Sequence, residues 1–351
     1  KYLLTNVNLS LISLISVQTR KGNKMDLVLV TGGAGYIGSH VVEILLNKGN
    51  HVRVIDNGMF GFQSLYPFHE SGQFELMKGD LRNISDIKRA VKGVHSIIHL
   101  GGIVGNPACS FDKQSCEDVN VTATLRLAEL ASAAGVQRFI FASSCSVYGY
   151  GEHIFTENSE LNPVDYYAES KIKGEEVLHK FSGDLALTTC RFATVFGASR
   201  RMRFDLAVNG MTASAVADGI CNVHGGNQWR PFIHCHDVAA ALCLIQCSNK
   251  ILVGDEIFNV GDDRQNMTLG MLGEKIREAL PAVQVNIQGT ITDQRSYQVS
   301  FSKIRERLNF RGTIPLVQGI KEVSMLLESH IIPSYHLGIY SNLKTMEKQA
   351  A

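Results

Sequence analysis

The sequence predicts an α/β fold in which a doubly wound parallel sheet is followed by a smaller C-terminal lobe. From Asp26 onward, short runs of β-branched residues alternate with longer amphipathic stretches, which is typical of βα units in a parallel sheet. After Gly197 this alternation gives way to a basic stretch and a different order of elements. With 351 residues, of which 45% are hydrophobic, the chain can bury the cores of both parts.

The elements of the sheet follow from two periodicities. Strands are predicted where apolar and β-branched residues form short runs, over 27–30, 51–55, 96–99, 138–142 and 186–191. Helices are predicted where apolar residues recur near a period of 3.6, over 36–48, 85–91, 116–134 and 165–180. In the later part of the chain we expect helices over 205–218, 269–279 and 316–327 and strands over 219–224 and 258–260.

The change of pattern at Gly197 sets the expected domain boundaries. One domain should cover 25–196, with 235–260 returning to it, and the smaller lobe should cover 197–234 and 261–332. Residues 333–351 are expected to be a loose tail. Residues 1–24 are interpreted as a leader or extension without function, because their apolar run lacks a signal-peptide cleavage site and Met25 directly precedes the folded pattern.

Charge and cysteine usage narrow the possible partners and the compartment. The formal net charge is +1, so we expect neither nucleic acid nor a membrane surface as a partner. Eight cysteines are scattered through apolar stretches without metal-ligand or disulfide-framework spacing. We therefore expect reduced thiols, no structural disulfide and a cytoplasmic location.

A glycine-rich turn lies between the first predicted strand and the first helix, in the stretch Thr31-Gly-Gly-Ala-Gly-Tyr-Ile-Gly38. Gly32 or Gly33 can form the tight turn, Gly35 allows a pyrophosphate to approach the backbone, and Gly38 allows close packing of the helix. Tyr36 and Ile37 belong to the same turn. Because the start of a helix binds anions, this context predicts a dinucleotide site.

Asp56 follows the second predicted strand, at the spacing expected of a carboxylate that binds the ribose hydroxyls. Such a carboxylate would repel the extra phosphate of NADP. The next residue is Asn57, and no arginine follows directly. The sequence therefore predicts NAD as the cofactor, with Asp56 and Asn57 among its ligands.

Five motifs in order resemble those of the NAD-dependent nucleotide-sugar epimerases and dehydratases, which are extended short-chain dehydrogenases with a Rossmann fold. The motifs are the glycine turn, Gly79-Asp-Leu-Arg82, His99-Leu-Gly-Gly102, Ser143-Ser-Cys-Ser-Val-Tyr-Gly149 and Tyr167-Ala-Glu-Ser-Lys171. The resemblance covers about residues 26–328. It implies cofactor contacts from Asp80, Leu81, Leu100, Gly101, Gly102 and Asn120, and catalysis by Ser144, Tyr167 and Lys171, of which the last two also contact the cofactor. It further implies a homodimer formed by the helices over 116–134 and 165–180.

The chemistry of the catalytic residues agrees with this resemblance. Tyr167 and Lys171 are four residues apart and share a helix face, so the ammonium can stabilise a phenolate and lower a pKa that is usually about 10. The tyrosine would then act as a general base. Ser144, at the end of a strand, could hold the same substrate oxygen by a hydrogen bond.

The smaller lobe contributes the candidate substrate ligands. Guanidinium groups suit phosphate oxygens. The resemblance implies that Arg230 binds the nucleotide diphosphate, and Arg203, in a guanidinium-rich stretch, and Arg295 are further candidates. Thr194 and Asn209 complete the predicted set, with Thr194 standing where the family usually has Asn. His234-Cys-His236 could suggest a metal, but no further ligand pair lies nearby in the sequence, so we predict no metal site.

The predicted reaction is epimerisation at C4 of a nucleotide sugar through a transient keto sugar. Dehydratases and decarboxylases of the resembled family carry an acid where this chain has Cys145 and Ser146, and epimerisation needs no such group. Three alternatives remain open at this point. They are a ketoreductase or 4-dehydrogenase with net redox chemistry, a dehydratase, and a non-catalytic NAD-binding regulator.

Overall fold

The computed structural model describes residues 26–289 and 293–351, so the expected leader over 1–24 lies outside the described residues. The strands are β1 Leu27–Thr31, β2 His51–Asp56, β3 Phe74–Lys78, β4 Ser96–His99, β5 Arg138–Ser144, β6 Tyr150–Phe155, β7 Ala186–Phe192, β8 Thr194–Phe196, β9 Ile220–His224, β10 Trp229–His234, β11 Glu256–Val260, β12 Asn266–Thr268, β13 Gln284–Gln288 and β14 Ser296–Val299. The helices are α1 Gly38–Asn47, α2 Ile84–Ala90, α3 Asn106–Phe111, α4 Lys113–Glu117, α5 Ala123–Ala133, α6 Tyr166–His179, α7 Ala207–Asp218, α8 Cys235–Cys247, α9 Lys250–Val253, α10 Leu269–Ala279, α11 Ser302–Leu308, α12 Leu316–Glu328 and α13 Asn342–Ala350.

Seven parallel strands form the central sheet in the order β11-β7-β5-β4-β1-β2-β3. The chain runs outward from β1 to β3, then returns to the other side of β1 and continues through β4, β5 and β7. This reversal leaves a crevice at the carboxyl ends of β1 and β4, where open α/β sheets bind their ligands. The predicted doubly wound Rossmann fold is confirmed.

Apolar residues of both sheet faces are covered by helices. Val28 and Val30 of β1 pack in one core cluster with residues of α1 and α8. Leu29, which points to the opposite face, packs in a second cluster with residues of α2, α5 and α6. A strand buried on both faces needs an uninterrupted apolar run, which explains why β1 was recognisable in the sequence.

The smaller lobe has its own core and two short sheets. Strands β12, β10 and β8 form one sheet, and β13 pairs with β9 in the other. Phe196, Phe232, Leu272 and Ile320 are fully buried in the cluster that joins these strands to α7, α10 and α12. The proposed division of the chain into two domains stays a prediction.

The prediction of a loose tail over 333–351 is wrong for its last part, which forms helix α13. Ser341 caps this helix by accepting a hydrogen bond from the Lys344 backbone N–H. Asn342 and Met346 are buried against the body of the protein. Among the described residues, none of the helices has the length and apolar character needed to cross a membrane.

Candidate active site

Glycines shape the turn between β1 and α1. Gly32 adopts a φ of +67°, and a Cβ atom there would lie 2.8 Å from the backbone nitrogen of Gly101. A Cβ atom at Gly38 would lie 2.3 Å from the Gly32 carbonyl oxygen. The tight turn therefore falls at Gly32, and α1 begins at Gly38 instead of at Tyr36 because Ile37 occupies its N-cap position.

The other two glycines of the turn are also confined. A Cβ atom at Gly33 would lie 2.6 Å from the Val54 side chain, and one at Gly35 would lie 3.1 Å from the Gly32 carbonyl oxygen. No side chain caps the N-terminus of α1 in the described structure. The positive end of this helix and the narrow glycine turn before it fit the pyrophosphate of a dinucleotide.

Asp56 ends strand β2 beside this turn. Its carboxylate accepts hydrogen bonds from the Ala34 N–H at 3.0 Å and the Gly58 N–H at 2.9 Å. Burial raises the pKa of Asp56, while these two hydrogen bonds and the charge of Arg201 lower it. A carboxylate has further lone pairs for ribose hydroxyls, whereas the Asn57 side chain accepts from the Met59 N–H within its own turn at 3.0 Å.

The two predicted residues Tyr36 and Asn209 join the two lobes. The Tyr36 hydroxyl donates to the Gly197 carbonyl at 2.6 Å and accepts from the Asn209 side chain at 3.0 Å. The Asn209 amide also accepts from the Gly197 N–H and donates to the Arg203 carbonyl. Asn209 is fully buried and its polar atoms are engaged within the protein, and its role as a substrate ligand stays a prediction.

The carboxyl end of β4 forms the opposite wall of the crevice. The Gly101 N–H donates to the Thr31 hydroxyl at 2.9 Å, and the Leu100 N–H donates to the Thr31 carbonyl. Leu81 leaves no room for a side chain at Gly101, since a Cβ atom there would lie 2.7 Å from the Leu81 Cδ1 atom. Asp80 is paired with Arg82 at 2.6 Å, which lowers the pKa of Asp80.

Asn120 lies in a π-helical turn, Asp118–Thr122, between α4 and α5. Its side chain accepts from the Ile103 N–H at 2.8 Å and donates to the Ile103 carbonyl at 2.9 Å and the Ser170 hydroxyl at 3.0 Å. A Cβ atom at Gly102 would lie 2.9 Å from the Asn120 carbonyl oxygen. Such π turns are frequent at functional sites, and this one fixes the backbone beside Gly102.

The three predicted catalytic residues lie together. Ser144 ends β5, and its hydroxyl accepts from the Ser146 N–H at 3.1 Å and contacts the Tyr167 phenol. Tyr167 and Lys171 occupy one face of α6 and are buried. The Lys171 ammonium donates to the Ala142 carbonyl at 2.9 Å and lies 5.9 Å from the centre of the Tyr167 ring. The site therefore joins the end of β5 to the first turns of α6.

The expected lowering of the pKa of Tyr167 by Lys171 is not found. Burial raises the pKa of Tyr167 well above its usual value, and Cys109 raises it further, whereas Arg203 and Ser144 lower it. Burial also lowers the pKa of Lys171 to about 8. Both groups are enclosed, so removal from water dominates both pKa values, and the ammonium bonds a backbone carbonyl.

A buried ion pair behind Ser144 was not anticipated from the sequence. Glu175, one turn after Lys171, accepts from the Ser143 hydroxyl at 2.5 Å and from the Arg191 guanidinium at 2.6 and 3.0 Å. Ser143 and Arg191 are paired neighbours on β5 and β7. The sequence carries no local signal for this contact, because its partners come from three separate elements.

Arg203 and Arg201 enter the site from the segment after β8. Arg203 is buried, forms two hydrogen bonds to Asp205 at 2.9 and 3.0 Å, and lowers the pKa of Tyr167. Arg201 stacks on Phe60 at 3.7 Å and donates to the Asn342 side chain. The sequence indicated a guanidinium-rich stretch here but gave no sign of the contact with the C-terminal helix.

Arg230 and Arg295 form a second cluster of guanidinium groups. Both pair with Asp293, at 2.9 Å for Arg230 and 2.6 Å for Arg295. Arg295 also lies 3.6 Å from Asp165, which caps helix α6 by accepting from the Ala168 N–H. The predicted diphosphate ligands are thus connected to the helix that carries Tyr167 and Lys171.

The remaining candidate site residues lie farther from the centre of the active site. Thr194 begins β8 and pairs with Phe232 of β10, where it is partly buried. The His234 side chain caps α8 and pairs with Glu322 at 2.9 Å. In the described part of the chain, His, Cys, Asp and Glu form no group of three or more that could hold a metal ion.

Comparison with known proteins agrees with this geometry. The model of the "NAD dependent epimerase/dehydratase family" matches residues 28–261. The UDP-glucuronate 4-epimerase of Thermodesulfobacterium geofontis is 28% identical over 320 residues, covering 85% of this chain and 94% of that protein. The structure of MoeE5 in complex with UDP-glucuronic acid and NAD has a TM-score of 0.75 at 27% identity and covers 86% of this chain and 99% of that one. The UDP-glucuronic acid 4-epimerase of Bacillus cereus, at 22% identity, shares the fold with a TM-score of 0.78 and covers 86% and 99%.

The fold, the glycine turn and the serine, tyrosine and lysine cluster define an NAD-dependent enzyme. The chain belongs to the NAD-dependent epimerase/dehydratase family. Its cofactor is NAD, as the sequence predicted. A purely regulatory role without catalysis is thereby set aside.

Proposed function

We propose that the enzyme is a 4-epimerase of a nucleotide-diphosphate sugar. One observation carries the proposal, namely that position 145, where dehydratases of the resembled family have an acid, holds a cysteine that faces the core. Cys145 is fully buried, donates to the Arg191 carbonyl, and burial raises its pKa well above the usual value. Such a thiol is not a proton donor for a leaving hydroxyl, so elimination of water lacks its acid.

The proposed chemistry begins at a sugar hydroxyl. Tyr167 removes its proton and Ser144 holds its oxygen. The charge of Arg203 and the Ser144 hydrogen bond lower the pKa of the phenol against the effect of burial, and Lys171 stays the predicted cationic neighbour of the phenol on the same helix face. Bound NAD supplies the hydride acceptor and later the hydride donor. Reduction of the keto sugar on its opposite face then gives the epimer, with Tyr167 returning the proton.

Substrate recognition is proposed to rest on the buried guanidinium groups. Arg230 and Arg295 lie close together and are suited to the diphosphate, because forked N–H donors match phosphate oxygens. Arg203 is within electrostatic reach of the reacting centre, because its charge lowers the pKa of Tyr167. Thr194 stays a predicted substrate contact. The solved structures that resemble this chain include proteins bound to UDP-glucuronic acid and UDP-glucose, which supports a nucleotide sugar as substrate.

Incubation with a panel of UDP-, GDP- and dTDP-sugars tests the proposal. We expect one sugar to be converted to its 4-epimer, with no net change in cofactor absorbance at completion. Stoichiometric appearance or consumption of NADH would instead identify a 4-dehydrogenase or ketoreductase. A product lighter by one water would identify a dehydratase.

We also propose that the enzyme is a cytoplasmic homodimer formed through α5 and α6. These helices are neighbours on one face of the sheet, and all eight cysteines are free, which fits a reducing compartment. Light scattering at micromolar concentration should give twice the monomer mass. A monomer under these conditions would contradict the dimer but would leave the proposed reaction untouched.

A further inference from the structure

Two cysteines that the proposed reaction does not use lie close to the reaction centre, in one buried cluster with Tyr167. Cys109 of α3 and Cys116 of α4 are both fully buried, and their sulfur atoms are 2.7 Å apart. They pack in one apolar cluster with Tyr167 and with Met346 of the C-terminal helix. A disulfide bond is about 2.05 Å long, so only a small approach of the two sulfurs would join them.

The thiol pair is connected to residues that shape the site. The Asn120 amide group lies 3.3 Å from the Cys116 sulfur while it donates to Ser170. The Cys109 thiol donates to the Ile103 carbonyl, which also receives a hydrogen bond from Asn120. A movement of either sulfur would therefore be transmitted to Asn120 and from there to the backbone beside Gly102.

The electrostatic surroundings favour a reactive sulfur at Cys116. The hydrogen bond between the two sulfurs lowers the pKa of Cys116, and burial opposes this. The Ser170 hydroxyl and the charge of Lys171 lower the pKa further. In turn, Cys109 and Cys116 raise the pKa of Lys171 against the effect of burial. A thiolate is the form that attacks peroxides and disulfides, so this pair has the ingredients of a redox site.

We propose that Cys109 and Cys116 are a reversible redox pair and that their oxidation by a hydroperoxide switches the enzyme to a state of weaker cofactor binding and turnover. The Cys116 thiolate attacks the peroxide and, with one proton, forms a sulfenic acid and releases one molecule of water or alcohol. The Cys109 sulfur then displaces the hydroxyl group, which leaves as water with the Cys109 proton. The two sulfurs lose two electrons in total, the peroxide gains them, and a dithiol reductant reverses the step.

The expected loss of NAD binding and turnover has a structural cause. Formation of the bond would draw α3 and α4 together beside the π turn that follows α4, and would displace Asn120 from Ile103 and Ser170. It would also convert the two ionisable thiols, which raise the pKa of Lys171, into a neutral disulfide. Because Tyr167 borders both the thiols and the catalytic cleft, a molecule as small as hydrogen peroxide would arrive from the cleft, and bound NAD should slow the reaction.

The pair can be tested in the full-length protein carrying Cys247→Ser, which removes the one exposed thiol. After treatment with hydrogen peroxide, the intact mass should fall by two hydrogen atoms and peptide mapping should join Cys109 to Cys116. Retention of NAD and turnover should both fall, and dithiothreitol should restore them. Prior saturation with NAD should reduce the rate of cross-linking.

Matched variants distinguish specific oxidation of Cys109 and Cys116 from nonspecific oxidative damage. Cys109→Ala and Cys116→Ala should each abolish the mass loss, whereas Cys243→Ala, which removes a buried thiol elsewhere in the core, should leave it unchanged. Absence of the cross-link in folded protein, or a cross-link that leaves NAD retention unaltered, would overturn the proposal. Only the turnover readout rests on the proposed function, so the mass and the NAD retention distinguish a failure of the switch from a failure of the assigned reaction.

Discussion

Asn342, the first residue of helix α13, accepts a hydrogen bond of 2.8 Å from the buried guanidinium of Arg201. Its amide group also donates to the Val104 carbonyl at 2.9 Å, and its backbone N–H donates to Asp205 at 2.9 Å. One side chain thus connects the C-terminal helix, the segment after β4 and the arginine-rich segment of the smaller lobe. The C-terminal helix is therefore part of the wall of the candidate site.

Asn342→Ala should destabilise the protein. The substitution leaves the Arg201 guanidinium without the acceptor it has in the structure, and an unsatisfied buried polar group costs about 1–3 kcal/mol. We expect the free energy of unfolding in urea to fall by an amount in this range. Lys348→Ala, on the exposed face of the same helix, should leave it unchanged, and equal effects of the two variants would contradict the role given to Asn342.

Asp56→Ala should narrow the preference for NAD over NADP. The carboxylate lies beside the glycine turn and can accept from the ribose hydroxyls, and it repels a phosphate at the same place. Removing it should weaken NAD binding and improve NADP binding in relative terms, as measured by dissociation constants for both cofactors. Glu75→Ala, which removes an exposed carboxylate on β3, is the control and should change neither constant.

His40 should make stability depend on pH in the acidic range. Burial, His236 and Arg200 lower the pKa of His40 from its usual 6.5 to about 4. Between these values the unfolded chain binds more protons than the folded one, so stability rises with pH across this window and is lost as the pH falls from 6.5 to 4. The contribution is on the order of 3 kcal/mol.

His40→Gln should remove this part of the pH dependence. We expect the difference in unfolding free energy between wild type and variant to be constant above pH 6.5. Below it, the difference should shift in favour of the variant. His224→Gln, at an exposed position, should follow the wild type throughout, and an identical slope for His40→Gln would disprove the assignment.

The sequence predicted the bounds of an element most accurately where a single local pattern determines that element. Strand β4 and helix α10 lie at the predicted residues, because an apolar run and a period of 3.6 each determine them. Strand β3 was missed because its side chains are only partly buried and its pattern carries little apolar signal. The helix over 116–134 proved to be α4, a π turn and α5, since the π turn serves Asn120 and no helix propensity encodes it.

Motif order brought Ser144, Tyr167 and Lys171 together correctly, because strand ends and one helix face fix their positions. The partners Glu175, Arg191 and Asn342 depend on contacts between residues far apart in the chain. The raised pKa of Tyr167 was equally inaccessible, since desolvation depends on the surrounding packing and the spacing to Lys171 gives only the Coulombic part.

Tyr167→Phe should abolish most of the turnover while NAD binding is kept. The phenylalanine ring preserves packing in the cluster with Cys109 and Met346, but the sugar hydroxyl loses its proton acceptor. General-base contributions are typically about 10²–10⁴-fold, so a loss of kcat in that range is expected on the substrate that the sugar panel identifies. Tyr166→Phe is the matched control, because the neighbouring hydroxyl bonds Glu117 at 3.1 Å and takes no part in the proposed reaction. Wild-type turnover in Tyr167→Phe would mean that another group removes the proton.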